Sequence, residues 1–480
     1  MGKIMPKAEM SRSRLWAVMI ILILAEIIAS LEGSMIFSAL PTITKEYGDF
    51  ASTSWLVTAY TLMTAASAAI GGRLGDMFGR RKVLIAVLLL CSLGSLLSAT
   101  SDSLFLVIIG RAIQGVTGAI LPLCFGIARQ IVPEKHLATW IGILTGAWSG
   151  SAAIGFVLGG YFADSGHWRA LFWLTTMAPL VVVAGVAALV PVITAARKEG
   201  SIDFLGGTLF VPAIVAALLG LHMMKDGDTI NHVALLVMGA GLAGLAFWFR
   251  YEWRHANPLI NVRLLANRQV LIANLLFVSV GMGAFQLTFV LMPLVQQPIW
   301  TGVGLGVTAT VAGLLKLPSN IVSMIAGPMS GFIASRHSAR LSAIIGGICG
   351  VIAWVTLSAY HVTIWQVVLV TIIAGFGSSM VMAAVPNLIL EVVPEERSSE
   401  ATGLAMVVRG VSASIGTQIL AQIMTIAPVR SPDGHVYTGE SAFVAAMLFI
   451  AAVSAFGVVM ALMLPRRRGG QRVVVGAAAH

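Results

Sequence analysis

Five ionisable residues stand inside long apolar runs of this chain: Glu26, Glu32, Arg111, Lys316 and Arg409. A charge in hydrocarbon is costly, so an ionisable residue there marks a functional position by default. The chemistry such groups offer is reversible protonation and ion pairing. Burial favours the protonated form of a carboxylate and a nearby cation favours the ionised form, so a change in their separation loads or releases a proton. Glu32 and Arg111 each lie about eight or nine residues from the outer end of their runs. At about 1.5 Å per residue, both sit roughly 12–14 Å below the outer surface. Matched depth makes a pair feasible; the plainer alternative is a static pair that only positions two helices. Glu26 precedes Glu32 by about 240° of helical rotation, so the two acids do not share a face. Glu26 reads either as a second proton or substrate site or as a carboxyl capped by a neighbouring hydroxyl. Lys316, near mid-depth, could neutralise an acidic substrate or a carboxylate such as Glu26. Arg409 lies nearer the cytoplasm and can snorkel, so a structural role is equally open.

These residues need long apolar elements to hold them. The chain has 480 residues, 58% hydrophobic and only 10% charged, whereas about 25% of a soluble protein is charged. Its bulk therefore belongs in lipid. Backbone polar groups there must be satisfied internally, and the apolar runs are too long for barrel strands, so the expected architecture is all-α. Apolar segments fall at 15–40, 54–75, 83–100, 104–128, 138–162, 168–192, 204–222, 232–250, 270–294, 305–331, 341–359, 364–388, 401–425 and 441–464, which makes fourteen expected spans. An even number puts both termini on one side. With that side cytoplasmic, inner segments hold 23 of the Lys and Arg residues and outer loops hold four: Lys45, Arg169, Lys225 and Arg430. That is a strong positive-inside bias. It also accounts for the net charge of +10 without nucleic acid. Lys3, Lys7, Arg12 and Arg14 precede a first run that is too long, and with Glu26 and Glu32 too acidic, for a cleaved signal peptide. The three cysteines, Cys91, Cys124 and Cys349, lie in apolar runs without metal-like spacing. Nucleotide-loop, H-E-x-x-H and His/Cys-cluster motifs are lacking. The reading is a non-enzyme with no cofactor or metal.

Two halves of the sequence repeat. Pro133, Gly142 and Gly155 match Pro394, Gly403 and Gly416 at the same intervals; Gly71, Gly75 and Arg80 match Gly327, Gly331 and Arg336. Pro41 and Pro293 mark the ends of the first and ninth spans. The domain reading is a six-helix bundle at 1–192, two inserted helices with a basic linker at 193–268, and a second bundle with a basic tail at 269–480. The linker, Tyr251 to Arg268, reads as lying along the cytoplasmic membrane surface. Two such bundles with a site between them at mid-depth are the plan of transporters that rock to give alternating access.

Between the second and third spans the chain reads Gly71-Gly72-Arg73-Leu74-Gly75-Asp76-Met77-Phe78-Gly79-Arg80-Arg81-Lys82. This G-x-L-x-D-x-x-G-R-R turn resembles the signature turn of the major facilitator superfamily of transporters. Gly110-Arg111-Ala112-Ile113-Gln114-Gly115 resembles that family's R-x-x-Q-G motif, whose arginine is implied in proton transfer. Leu31-Glu32-Gly33 through Pro41 resembles the first-helix motif of its fourteen-helix drug:proton antiporters, with Glu32 where the motif has Asp. His167-Trp168-Arg169 fits that group's W-R-W-x-F pattern in part. Gly155-Phe156-Val157-Leu158-Gly159-Gly160 resembles the antiporter motif, but Phe156 stands where the motif has proline, the residue most tied to antiport, and this leaves transport direction open.

The resemblance implies a major facilitator fold and a secondary exporter of amphipathic or lipophilic molecules, driven by inbound protons. Proton coupling falls to Glu32, Glu26 and Arg111. Candidate cavity residues are Met35, Phe37, Tyr60, Gln114, Trp148, Phe285, Gln286, Phe289 and Lys316. Met and aromatic groups suit promiscuous apolar ligands, and the same residues often face lipid or core. Gly72, Asp76, Gly79, Arg80 and Arg81 form a candidate conformational latch with Glu391 as partner; Glu395, Glu396 and Glu400 crowd the same loop. Gly146, Gly150, Gly155, Gly159 and Gly160 let helix backbones touch. The expected partners are a small amphipathic substrate, protons and lipids of the cytoplasmic membrane, with the chain a monomer. The rivals are a transporter of a dedicated metabolite or lipid without proton coupling and, more remotely, a membrane enzyme or channel.

Overall fold

Charge-free apolar runs form helices because a helix satisfies every interior backbone group within one segment. The computed structural model of the chain describes residues 11–192, 204–224, 231–255, 258, 260–393 and 398–465. Lys3, Lys7, Lys225, Pro394, Glu395, Glu396, Arg397 and the basic tail lie outside the described residues. In chain order the helices are α1 (Arg12–Tyr47), α2 (Phe50–Thr53), α3 (Trp55–Phe78), α4 (Arg80–Thr100), α5 (Leu104–Gln114), α6 (Ile120–Ile131), α7 (Glu134–Asp164), α8 (Ala170–Leu189), α9 (Phe204–Met223), α10 (His232–Arg254), α11 (Arg268–Met282), α12 (Leu287–Gln296), α13 (Ala309–Leu315), α14 (Leu317–Arg336), α15 (Ala339–Ala359), α16 (Ile364–Leu390), α17 (Ser398–Ile423) and α18 (Glu440–Met463). A short hairpin, β1 (Pro428–Arg430) and β2 (Val436–Thr438), pairs antiparallel. Among the described residues eleven helices are long and apolar enough to cross a membrane, counting α5 with α6, α11 with α12 and α13 with α14 as continuous spans. Helices α3, α7 and α9 occupy three further apolar segments but fall outside that set.

Two prolines do not end their helices as the sequence reading expects. Pro41 lies inside α1 and Pro293 inside α12. A proline removes one backbone bond, and a membrane helix tolerates that loss where its neighbours re-satisfy the freed group. The stop after α12 is instead Gln297-Pro298, since the residue before proline is pushed into extended backbone, and Gln297 has ψ 147°. The linker is also partly helical: α10 runs on to Arg254. Arg263 folds back to donate to the carbonyls of Trp253, at 2.7 Å, and His255, at 2.5 Å, which satisfies groups that the helix end would leave open.

The chain falls into two units. Unit 1 is Met1–Tyr47, Trp55–Ile202 and Thr308–Leu314; unit 2 is Gly48–Ser54, Asp203–Val307 and Leu315–His480. In unit 1 a core of Val18, Met19 and Leu22 on α1, Leu84 and Leu88 on α4, Leu123 and Ile127 on α6 and Val186 on α8 is buried. The second half of α7 packs on α1 so closely that a Cβ at Gly155 would collide with the Ser34 hydroxyl and one at Gly159 with the Met35 backbone. Gly142, Gly146 and Gly150, earlier on α7, meet nothing within 4 Å. A tight 3-10 stretch, Gly115–Ala119, joins α5 to α6 where the backbone of α3 presses in: a Cβ at Gly115 would lie 2.7 Å from the Tyr60 carbonyl.

In unit 2 the continuous span of α11 and α12 breaks at Gly283, followed by a 3-10 turn over Ala284–Gln286. Gln286 bridges the break to α17, donating to the carbonyls of Gly281 (2.9 Å) and Ala413 (2.8 Å) and accepting from Thr417 (3.1 Å). The span of α13 and α14 breaks at Lys316, beside Pro318. The hairpin is held by Gln297, which donates to the Thr438 carbonyl at 3.1 Å and accepts from its N–H at 2.9 Å.

Candidate functional site

Within unit 1, α1 brings Glu32, α5 brings Arg111 and Gln114, α4 brings Cys91 and Ser95, α3 brings Tyr60 and α8 brings Thr175 to one buried place. Glu32 is 2% and Arg111 1% exposed. Their closest charged atoms, Glu32 Oε2 and Arg111 Nη1, stand 3.5 Å apart. That exceeds a good hydrogen bond, so the ion pair itself is loose. The guanidinium is held by other groups: Nε donates to the Leu56 carbonyl at 3.1 Å, and Nη1 donates to the Glu32 carbonyl at 3.0 Å and to Gln114 Oε1 at 2.8 Å. The Tyr60 ring lies under it, 4.2 Å from Cζ, a cation–π contact. Nη2 meets no hydrogen-bond acceptor among the described residues.

The other carboxylate oxygen, Oε1, accepts from the Ser95 hydroxyl at 3.0 Å and the Cys91 thiol at 3.3 Å. Ser95 in turn accepts from Gln114 Nε2 at 2.7 Å and from Thr175 at 3.2 Å. A serine carries one proton, and the Cys91 carbonyl, also 3.0 Å away, is an alternative acceptor for it. Ser95 can therefore serve Glu32 when the acid is ionised and turn to the backbone when the acid is protonated. The arrangement can do one chemical job well: change the protonation of Glu32 without moving the cation beside it. A small cavity lined by Glu32, Arg111, Met35, Phe172 and Thr175 adjoins the pair.

The remaining candidates from the sequence scatter. Glu26 is fully buried in the unit 1 core, where the Cys124 thiol is the polar group beside its carboxyl. Met35 lines the cavity at Glu32. Phe37 is buried with its ring 6.3 Å from Phe156. Tyr60 and Gln114 belong to the arginine network, and the Tyr60 hydroxyl also donates to the Ala29 carbonyl at 3.1 Å. Trp148 lies on α7, and its side chain is outside the described residues. In unit 2, Gln286 serves the break between α11 and α12, and Phe289 is buried against Phe50, ring centres 5.3 Å apart. Phe285 is half-exposed, its ring 5.9 Å from the Arg409 guanidinium. Arg409 also reaches Met382 Sδ at 3.8 Å. Lys316 is buried.

At the signature turn, Gly79 has φ 94°, a conformation that glycine adopts without strain, and it reverses the chain between α3 and α4. Arg80 binds Asp76 Oδ1 through Nη2 at 2.7 Å and Nε at 3.0 Å, and also donates to the Gly126 carbonyl. A Cβ at Gly126 would strike the guanidinium. Arg81 donates to the Ala187 carbonyl. Gly72 lies on α3, half-buried. In unit 2, Glu391 accepts from Gln269 Nε2 at 3.2 Å, and Glu400 accepts from Asn261 Nδ2 at 3.0 Å. Gly160 packs on the backbone of Ala309 within unit 1. The sequence reading missed Ser95, Cys91, Thr175 and Gly126. Hydroxyls are common in membrane helices and carry no charge to flag them, and Gly126 is one of 50 glycines.

The model of the Major Facilitator Superfamily matches residues 22–417. An uncharacterized MFS-type transporter of Mycobacterium tuberculosis is 29% identical over 411 residues, covering 82% of this chain and 57% of the relative. The match therefore spans little more than half that relative's length. Multidrug transporter protein MdtP of Bacillus subtilis is 25% identical over 412 residues, covering 84% of this chain and 74% of the relative. The xylose transporter XylE from E. coli, in a partially occluded inward open conformation, is similar in fold, with a TM-score of 0.61 at 12% identity over 96% of this chain and all of that one.

Proposed function

The chain belongs to the Major Facilitator Superfamily and is a multi-pass membrane protein, and on that premise we propose that it exports amphipathic or lipophilic small molecules in exchange for protons. The proposed topology has fourteen spans with both termini in the cytoplasm of a cell whose cytoplasmic membrane holds the protein. The positive-inside bias and the helix found in each of the fourteen apolar segments support it.

The observation that carries the proton reading is the way Arg111 is held. Three acceptors other than the Glu32 carboxylate fix it, and the carboxylate stands 3.5 Å away. An arginine held only by its acid would lose its place when the acid took a proton. Here protonation of Glu32 frees the carboxyl to shift while the cation keeps its backbone partners. Glu32 takes a proton where the site is open to the outside and yields it where Arg111 closes in or water enters from the cytoplasm. Net import of a proton then drives the return stroke of alternating access. The basic turn at Asp76, Arg80 and Arg81 serves as the latch on the cytoplasmic side, and Met35, which lines the cavity at Glu32, offers apolar contact to substrate. Relatives named as multidrug transporters, at about a quarter identity, support the substrate breadth.

One feature favours a second reading, a dedicated exporter without proton coupling. Phe156 stands in place of the antiporter-motif proline and packs against Phe37. Purified protein in vesicles decides between them. Substrate movement that follows an imposed pH gradient, and stops when the gradient collapses, supports antiport; movement indifferent to the gradient supports the second reading.

A further inference from the structure

Unit 2 places a lysine where a lysine is costly. Lys316 stands at the break between α13 and α14 and is 6% exposed. Its Nζ reaches the Ser319 hydroxyl at 3.4 Å, and among the described residues no carboxylate pairs with it. An ammonium has three donors and no acceptor, so one long contact to a hydroxyl leaves most of its hydrogen-bonding capacity unused. Buried charges persist where something of opposite sign meets them.

The neighbouring groups share the same character. Asn320 Nδ2 is buried with no hydrogen-bond partner among the described residues. Positions i, i+3 and i+4 lie on one helix face, so Lys316, Ser319 and Asn320 present an ammonium, a hydroxyl and an amide N–H together. The N-terminal end of the 20-residue α14, the positive pole of its dipole, begins at Lys316 itself. Pro318 in the first turn breaks the helix there. Ser319 is fully buried against Gly375, where a Cβ would collide with its hydroxyl, so α16 holds this face in place. Donors dominate the cluster, and among the described residues no acid balances it. It suits a ligand rich in lone pairs and negatively charged, and it repels a cation.

We propose that Lys316, Ser319 and Asn320 form an anion subsite in unit 2, and that the exported molecule carries a carboxylate on an apolar body. This rests on reading the chain as an exporter of small amphipathic molecules. A resident chloride ion would satisfy the same donors, and the experiment separates the two sources.

The full-length protein, purified in detergent without any pH gradient, is titrated with a fluorescent aryl-alkyl carboxylic acid and with its methyl ester. The acid binds at least about tenfold tighter than the ester. Lys316→Met abolishes that preference and leaves ester affinity unchanged, whereas Lys316→Arg keeps it. Equal binding of acid and ester by the wild type, or a preference that survives Lys316→Met, overturns the inference. Should Lys316→Met fail to elute as a monodisperse protein, Asn320→Leu decides: a weakened preference for the acid supports the subsite and an unchanged one overturns it. Replacing chloride by gluconate gives the last arm. If chloride raises the Tm of the wild type but not of Lys316→Met, and acid and ester bind alike, the anion is inorganic and the substrate class falls. No gradient is present in any arm, so failure here leaves the proton-coupling test intact, and failure of that test leaves this one readable.

Discussion

Unit 1 buries a carboxylate, Glu32, beside a cation, Arg111, that is anchored to backbone carbonyls. Unit 2 buries Lys316 and lays Arg409 against Met382 and Phe285, with no acid at either among the described residues. The two units share part of their packing but not their buried charges. Gly155 on α7 closes on Ser34 of α1, and its repeat partner Gly416 on α17 closes on Met282 and Gln286. Gly142 and its partner Gly403 both meet nothing within 4 Å. The repeat carries close approach at Gly155 and Gly416 but not at every pair: a Cβ at Gly71 would strike Ala119 and one at Gly75 would strike Leu123, whereas at Gly327 the nearest atom is 3.7 Å away and at Gly331 nothing lies within 4 Å. The buried charges are not repeated, because a side chain that projects into a bundle can change without altering the glycine contacts that hold it. The difference fits the proposals made above, in which unit 1 handles a proton and unit 2 an anion.

The sharpest way to break that contrast is Glu32→Gln. It takes proton-driven export to background while gradient-independent substrate exchange continues, both measured in vesicles. Unchanged driven export would move the proton to another group, Glu26 first. Arg111→Met tests whether the pair is structural as well. It leaves Glu32 buried without its cation and removes the contacts to Leu56 and Gln114, for a loss of about 3–5 kcal/mol, read as a lower Tm in detergent. In the Glu32→Gln background the same substitution costs less, because no buried charge is left alone. Equal losses in both backgrounds would mean that the two residues do not interact.

The glycine repeat is tested next. Gly155→Val and Gly416→Val force side chains into the packed neighbours Ser34 and Met282 and destabilise by about 1–3 kcal/mol. Gly142→Ala and Gly403→Ala stay within about 0.5 kcal/mol. A matched pair that responds differently in the two units would refute the packing half of the comparison. The smallest effect belongs to the signature turn. Asp76→Asn loses a half-exposed ion pair, which contributes under about 1 kcal/mol to stability. A transport rate that falls well beyond that stability change identifies the turn as a latch, and a rate that falls only in step with stability reduces it to a cap on α4.

Much of the site was legible from residue type. Glu32 and Arg111 stand out because charge in an apolar run has few structural excuses, and equal depth follows from helical rise alone. Ser95, Cys91 and Thr175 were hidden, since a hydroxyl or thiol in a span bonds its own helix as readily as a neighbour, and Ser95 itself also reaches the Cys91 carbonyl. Pro41 misled for a related reason: proline ends helices in water, where freed groups find solvent, but α1 continues through it. Tyr60 and Gln286 read as cavity residues by type, yet their polar atoms are committed to carbonyls and hydroxyls of other helices.

The order of residues by itself determined a membrane-embedded helical chain, its apolar segments, its charge bias and the short list of ionisable groups worth attention. These depend on composition and on a period of 3.6, which are local properties. Tertiary structure alone decided that Arg111 rests on Leu56 and Gln114 more firmly than on its acid, and that Glu26 sits in core beside the Cys124 thiol. It also decided that Lys316 shares a donor-rich face with Asn320 and, among the described residues, pairs with no carboxylate. Those outcomes turn on which helices touch and at what distance, and a gap of 3.5 Å between charges arises from packing across many helices that no single stretch of sequence encodes.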